Sequence, residues 1–210
     1  MRMGDVHSLG KTHGLRILSV SDFQDKDLIR RIEEREMPPI DLVISCGDLA
    51  PEYISFLRDR VDAPLYYVKG NHDIRYTPDN TMGCENIHTR VVSAGSLNIM
   101  GLEGSIWYNG GPNQYTDAAM KKMIFWMGFK IWRRKPVHMV VTHASPRHIH
   151  DREDPCHRGF ESYNRLIRRM APDYFIHGHI HDAFDDFDGR ITRTGSTRVI
   201  NTCGHIIFEV

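Results

Sequence analysis

The chain has 210 residues, of which 40% are hydrophobic and 26% charged, as in an ordinary soluble protein. Lys plus Arg and Asp plus Glu balance at 27 each, so no global field attracts nucleic acid or anionic lipid. Four widely separated cysteines form no Cys-x-x-Cys pair, which argues against a zinc knuckle or a disulfide scaffold and favours a reducing compartment.

The length favours one domain, and we assign it to residues 15–210. Residues 1–14 read as a short polar leader, because they lack the apolar core of a signal peptide. No apolar stretch approaches the roughly 20 residues that a bilayer span needs. We therefore expect a cytoplasmic protein without a membrane partner.

Strands and helices alternate over the first 70 residues. The pattern predicts strands over residues 15–20, 41–46 and 65–68, with helices over residues 26–37 and from Pro51 to about Val61. Pro51 suits the first turn of a helix. This alternation implies parallel strands joined by right-handed crossovers.

The remaining elements are more varied. They are predicted to be strands over residues 91–92 and 97–102, a helix over 116–132, a strand over 137–141, a helix over 160–170, a strand over 174–176, and a C-terminal meander over 183–187, 190–193, 197–201 and 205–210 with a turn at 188–189.

The 116–132 helix is apolar on more than one side. Such a helix is either deeply packed or covered by a partner, so packing and homo-oligomer formation through this helix both stay open.

Five of the predicted strands end in polar residues that bind metals. These residues are Asp22, Asp48, Asn71 with His72 and Asp73, His143, and His179 with His181. Ligands bind at the carboxyl ends of strands in open α/β sheets. Two divalent cations clamp a phosphate and lower the pKa of a bound water, and they need an anionic bridge such as Asp48. Mixed Asp, Asn and His ligands suit Mn, Fe or Zn better than Ca.

In order and spacing, Asp22, Gly47-Asp48, Gly70-Asn71-His72-Asp73, His143 and Gly178-His179-Ile180-His181 resemble the calcineurin-like metallophosphoesterase family. The resemblance runs from about residue 15 to the C-terminus. It implies an α/β fold, a four-layer α/β/β/α sandwich of two mixed β-sheets flanked by helices. It also implies hydrolysis of a phosphoester through a hydroxide activated by two metals.

The same resemblance implies roles for individual residues. Asp22, Asp48 and His181 hold the first metal, and Asp48, Asn71, His143 and His179 hold the second. His72 is the catalytic histidine, which contacts the phosphate together with Asn71 and protonates the leaving alkoxide. Asp73 is an orienting carboxylate beside it.

One position departs from the family pattern. Most members read Asp-x-His where this chain reads Asp22-Phe23-Gln24. Gln offers only a neutral amide oxygen, so the first site is either retuned towards a harder ion or weakened and filled only at high metal concentration. We expect occupancy with reduced affinity and keep Gln24 as a ligand candidate.

Two further segments bear on the substrate. Cys156-His157-Arg158-Gly159 resembles a segment of a bacterial and archaeal subgroup of this family. Arg158 lies at a predicted helix start, where its planar guanidinium would grip a phosphate oxygen; an exposed surface arginine is the alternative. Cys156 carries no mark of a nucleophile. The glycine-containing loop over residues 104–111 is expected to border the pocket, where Trp107 or Tyr108 would stack on a ring, unless these side chains serve only in packing.

The sequence thus predicts a metallophosphoesterase acting on a small substrate, with a phosphodiester or nucleotide favoured over a monoester. The alternative is a catalytically weak protein-interaction scaffold on the same fold, although such a scaffold has no chemical reason to keep His72. A nuclease lacks support, since the chain shows no basic stripe.

Overall fold

The computed structural model describes residues 14–131, 136–181 and 188–210. The predicted leader, except for Gly14, and the predicted strand over residues 183–187 lie outside these ranges. Among the described residues, no helix has the length and apolarity required to cross a membrane.

The first sheet is built mainly from the N-terminal half of the chain. Its strands are β1 (Arg16–Ser21), β2 (Leu42–Ser45), β3 (Leu65–Tyr67), β4 (Cys84–Asn86) and β13 (Gly204–Glu209). β1 to β4 run parallel in that order, and β13 closes the sheet antiparallel to β1. The crossovers contain helices α1 (Lys26–Glu33) and α2 (Pro51–Val61).

The second sheet is also mixed. Its strands are β5 (Val91–Ala94), β6 (Leu97–Leu102), β9 (Met139–Thr142), β10 (Tyr174–His177), β11 (Ile191–Thr194) and β12 (Thr197–Asn201). The order is β11-β12-β10-β9-β6-β5, with four parallel strands in the centre and an antiparallel strand at each edge. Helices α3 (Asp117–Ile131) and α4 (Glu161–Met170) belong to this half, and a small sheet pairs β7 (Ser105–Ile106) with β8 (Gln114–Tyr115).

Side chains that alternate along each strand divide the core into layers. Ile17 and Ile44 of the first sheet share one buried cluster with Val141 and Ile176 of the second, so the sheets pack face to face. The alternate residues of the first sheet pack with α1 and α2, and those of the second with α3 and α4. The predicted four-layer α/β/β/α sandwich is confirmed.

Helix α1 is shorter than predicted. Asp25 caps it by accepting hydrogen bonds from the amides of Asp27 and Leu28, at 2.9 and 3.3 Å. It ends at Glu33 rather than residue 37, because Arg35 adopts a left-handed conformation with φ of 58°. Pro38 and Pro39, which cannot continue a helix, therefore lie beyond its actual end.

The sequence pattern also failed to predict β4 and placed the start of one strand, β11, one residue too early. β4 is three half-buried residues, Cys84–Asn86, without the apolar run that predicts a strand. The strand expected over residues 190–193 begins one residue later, after a 3-10 turn over Asp188–Arg190. Both elements are set by pairing with neighbouring strands rather than by their own residues.

Helix α3 combines a packed face with an open one. Met120 and Met127 are buried against the second sheet, which confirms the packing interpretation for that face. Phe125 and Trp126 remain 60% and 54% exposed. Thr116 caps the helix by accepting a hydrogen bond from the amide of Ala119 at 3.2 Å.

The layer between the sheets should carry much of the stability. We expect Ile44→Ala to reduce the free energy of unfolding by about 2–5 kcal/mol, because it leaves a cavity where both sheets pack. Ile74→Ala is the matched control, and its exposed side chain should change stability by less than about 0.5 kcal/mol. Urea unfolding of the two variants measures the difference, and equal losses would contradict the layer assignment.

Candidate metal centre

Parallel strands from both sheets end at one edge of the sandwich. Asp22 and Asp48 follow β1 and β2 of the first sheet, and His143 and His179 follow β9 and β10 of the second. The main chains meet there, since the amide of Asp22 donates to the carbonyl of Gly47 and the amide of Gly178 to that of His143. Residues from distant parts of the sequence therefore converge, as the strand-end pattern predicted.

Three of these residues have a strained backbone. Asp22, Asp48 and His179 adopt left-handed conformations, with φ of 72°, 56° and 68°. Such conformations cost roughly 1–3 kcal/mol each and cluster at functional sites. Here each one turns the chain sharply at a strand end, so that the side chain points into the space between the two sheets' edges.

One donor group at this edge consists of Asp48, His143 and His179, whose potential ligand atoms all lie within 4.8 Å of one another. Nε2 of His143 lies 3.2 Å from Oδ2 of Asp48 and 3.1 Å from Oδ1 of Asn71. Nδ1 of the fully buried His143 donates to the carbonyl of Cys46 at 2.8 Å. This bond leaves Nε2 as the ring atom that faces the carboxylate and the amide.

The charges in this group favour an additional cation. Burial alone would raise the pKa of Asp48, but His143 beside it holds the pKa well below its usual range. Burial alone would lower the pKa of His143, but Asp48 and then Asp22 raise it to about 9. In the metal-free protein a proton on His143 thus offsets part of the negative charge of the buried carboxylates, which is the role that a divalent cation would take over.

His179 is held by the loop after β9. Its Nε2 donates to the carbonyl of Cys156 at 2.7 Å, so Nδ1 is the atom with a free lone pair. Burial, followed by the repulsion of His143, lowers the pKa of His179 to about 3. The ring therefore stays neutral, which is the form that binds a metal.

A second part of the site pairs Asp22 with His181. The Asp22 carboxylate is buried and accepts hydrogen bonds from the Ser21 hydroxyl at 2.7 Å and the His179 amide at 2.8 Å. Nε2 of His181 lies 3.5 Å from it, but the His181 side chain is 61% exposed. Gln24 is also exposed. This part of the site is less enclosed than the Asp48 group.

His72 and Asp73 lie on opposite sides of their loop. The buried Asp73 carboxylate accepts hydrogen bonds from the amides of Asp48 and Gly70, both at 2.8 Å, and burial raises its pKa to about 6. The His72 amide donates to Oδ1 of Asp48 at 2.9 Å, while the His72 side chain is exposed. Asp73 thus fixes the backbone that carries Asp48, and His72 stands at the opening.

The loop between β7 and β8 borders the site. The Tyr108 hydroxyl accepts a hydrogen bond from Nδ2 of Asn71 at 3.3 Å, which is consistent with the expected position of this loop. Nδ2 of Asn113 donates to the carbonyl of Gly70 at 2.9 Å. Asn113 was not anticipated, because it lies 43 residues from Gly70 and no local pattern links them. Arg158 is exposed in the loop that carries Cys156.

The donor set fits divalent metal ions. Two buried carboxylates, one amide oxygen and three imidazoles converge on the space between the strand ends, and oxygen with nitrogen donors suits first-row ions. Glycines make room for them, because a side chain at Gly70 would collide with the Asp48 carboxylate and the His143 ring.

Comparison with known proteins identifies the family and supports the fold. A profile of the calcineurin-like phosphoesterase family matches residues 3–183. No curated protein matches the sequence significantly. Among solved structures, TT1561 of Thermus thermophilus is 15% identical, with a TM-score of 0.64, over 93% of this chain and 99% of that one.

Two further structures are similar at lower scores. GAP50, the anchor in the inner membrane complex of Plasmodium, is 14% identical with a TM-score of 0.50 over 90% of this chain and 71% of its own. Vacuolar protein sorting 29 from Cryptosporidium parvum is 17% identical with a TM-score of 0.46 over 90% and 74%. At these identities the similarities to TT1561 and GAP50 establish the fold alone.

The close approach at Gly70 can be tested. We expect Gly70→Ala to weaken Mn²⁺ binding by about 10–100-fold, because the added methyl displaces Asp48 and His143. Gly128→Ala in α3 is the control, since within 4 Å the added methyl would meet only the Met170 side chain, at an ordinary contact distance of 3.9 Å. Isothermal titration calorimetry measures both. Unchanged Mn²⁺ affinity in Gly70→Ala would place the metal elsewhere.

Proposed function

Because the chain belongs to the calcineurin-like phosphoesterase family, we propose that it is a metal-dependent hydrolase of phosphoesters. The observation that carries this proposal is the convergence of Asp48, His143 and His179 within 4.8 Å at the strand ends. It is a buried group of carboxylate and imidazole donors that lies beside an exposed histidine, His72. A phosphate bound there would meet cations on one side and a proton donor on the other.

We assign the metal ligands to two sets. Asp48, Asn71, His143 and His179 would hold one ion, and Asp22, Asp48 and His181, with Gln24 nearby in sequence, the other. Mn, Fe or Zn suits these donors. When bound, such ions polarise phosphoryl oxygens and lower the pKa of a coordinated water. The exposed His181 and Gln24 support a weaker first site.

The chain's own residues would position the substrate and move its protons. His72 lines a cavity of about 200 Å³ together with Asp48, Asp73 and Arg75. From there its imidazolium would donate a proton to the oxygen of the departing alcohol. Asp73 would keep Asp48 and Gly70 in place through their amides. Arg158 would contact a phosphate oxygen only if its exposed side chain turned towards the opening.

A phosphodiester or nucleotide is the substrate class that we favour. The support is the aromatic loop beside Asn71. The Tyr108 hydroxyl contacts the side-chain amide of Asn71, and the neighbouring Trp107 is exposed. An exposed indole beside a phosphate site offers a face on which a base or ring can stack. A panel of mono-, di- and cyclic nucleotide phosphoesters would identify the substrate.

His72 is the residue that tests catalysis. We expect His72→Ala to lower kcat for bis-p-nitrophenyl phosphate in the presence of Mn²⁺ by about 10²–10⁴-fold, the usual contribution of a positioned proton donor. Metal content by elemental analysis should stay unchanged, because only the main chain of His72 contacts Asp48. His148→Ala removes another exposed histidine, beside Glu161, and should leave kcat unaltered.

Equal turnover in wild type and His72→Ala would refute the catalytic assignment and favour the scaffold alternative. That alternative is supported by one observation, the adjacent exposed rings of Phe125 and Trp126 on α3. Trp126 borders a cavity of about 450 Å³ lined also by Met123 and Met127. A partner protein or a second copy of the chain would cover this face.

Gln24 tests the first metal site. We expect Gln24→His to raise affinity for the more weakly bound Mn²⁺, because an imidazole replaces a neutral amide oxygen two residues after Asp22 in the sequence. Gln24→Leu removes the donor and should lower that affinity or leave the site empty. Calorimetric titration resolves the two binding steps, and identical curves for all three proteins would show that Gln24 is not at the metal.

A further inference from the structure

A separate group of donor side chains lies in the loop before α4. It consists of Asp154, Cys156 and His157, and their potential ligand atoms lie within 4.8 Å of one another. Sγ of Cys156 lies 2.9 Å from Oδ1 of Asp154 and 3.4 Å from Nδ1 of His157. Nδ1 of His157 lies 2.9 and 3.0 Å from the two Asp154 oxygens.

We propose that Asp154, Cys156 and His157 form a binding site for a zinc-like divalent ion, distinct from the phosphoesterase centre. Carboxylate, thiolate and imidazole are the three protein groups that zinc binds. Zinc–ligand distances of about 2.0–2.3 Å in a tetrahedron place neighbouring donors roughly 3.3–3.6 Å apart. The donors here need to separate by only a few tenths of an ångström, and water would complete the fourth position.

The spacing matches that of the centre already described. There the donor pairs are separated by 3.1 Å for His143 and Asn71, 3.2 Å for His143 and Asp48, and 3.5 Å for His181 and Asp22. The Asp154 group spans 2.9–3.4 Å. It differs in one respect, because it includes a sulfur donor, which selects for softer ions.

The loop presents these donors on a fixed frame that an ion can reach. The buried Arg147 guanidinium pairs with Asp151 at 2.6 Å, and the Gly159 amide donates to the same carboxylate at 3.0 Å. These contacts close the loop at both ends. The side chains of Asp154 and His157 are 42% and 31% exposed, so a hydrated ion has direct access.

The group is also next to the phosphoesterase centre. The Cys156 carbonyl holds Nε2 of His179, and the His157 and His179 rings lie 5.2 Å apart between centroids. An ion bound through the Cys156 sulfur would therefore fix the peptide that orients His179. The ligands assigned to the phosphoesterase centre include no cysteine, which gives the two sites different spectroscopic signatures.

Cobalt substitution tests the site, because Co²⁺ replaces zinc and shows a near-ultraviolet sulfur-to-metal charge-transfer band only when a thiolate binds it. We expect the wild-type protein to develop this band on titration with Co²⁺ and to lose it on addition of Zn²⁺. Cys156→Ser should abolish the band. Cys84→Ser, a change at another partly exposed cysteine, should retain it.

Two further variants separate this proposal from the proposed function and from misfolding. Asp48→Asn should damage the phosphoesterase centre and leave the band intact, whereas His157→Gln should keep the thiol and weaken Co²⁺ affinity at least about tenfold. Circular dichroism checks that each variant is folded. A wild-type protein without the band at saturating Co²⁺, or a band that survives in Cys156→Ser, would overturn the zinc-like site.

Discussion

The interaction on which the rest of this structure depends is that of the Asp48 carboxylate with its surroundings at the junction of the two sheets. Its Oδ2 lies 3.2 Å from the fully buried His143 of the opposite sheet, and its Oδ1 accepts the amide of His72. Burying an ionised carboxylate costs free energy unless positive charge or hydrogen-bond donors surround it. The raised pKa of His143, about 9, supplies that positive charge in the metal-free protein.

The backbone is shaped to meet this electrostatic demand. The Asp73 carboxylate accepts hydrogen bonds from the main-chain amides of Asp48 and Gly70, so it positions Asp48 through the backbone. Position 70 must be glycine, because a side chain there would collide with Asp48 and His143. Asp48 itself adopts a left-handed backbone conformation. These features trade local stability for a fixed arrangement of donors, as is common at functional sites.

The site is unequal in its two parts. The group around Asp48 and His143 is enclosed, and its tautomers are set by the carbonyls of Cys46 and Cys156. The part around Asp22 depends on an exposed His181. Gln24, where the family resemblance leads us to expect an imidazole, lies in this more exposed part. The loop that carries Cys156 connects the enclosed part to the neighbouring Asp154 group.

The amino-acid sequence by itself determined most of the strands and the residues that follow them, because a short apolar run marks a buried strand and a polar residue after it marks the strand end. Asp22, Asp48, Asn71, His143, His179 and His181 were predicted in this way as candidate site residues, and the family resemblance indicated the four-layer fold. Only the tertiary structure decided what those residues touch. Asp73 bonds to main-chain amides, Tyr108 and Asn113 contact Asn71 and Gly70, and His72 faces solvent while His143 is fully buried. All of these features depend on contacts between segments far apart in the chain. No local pattern records such contacts, because they arise from the packing of one sheet against the other.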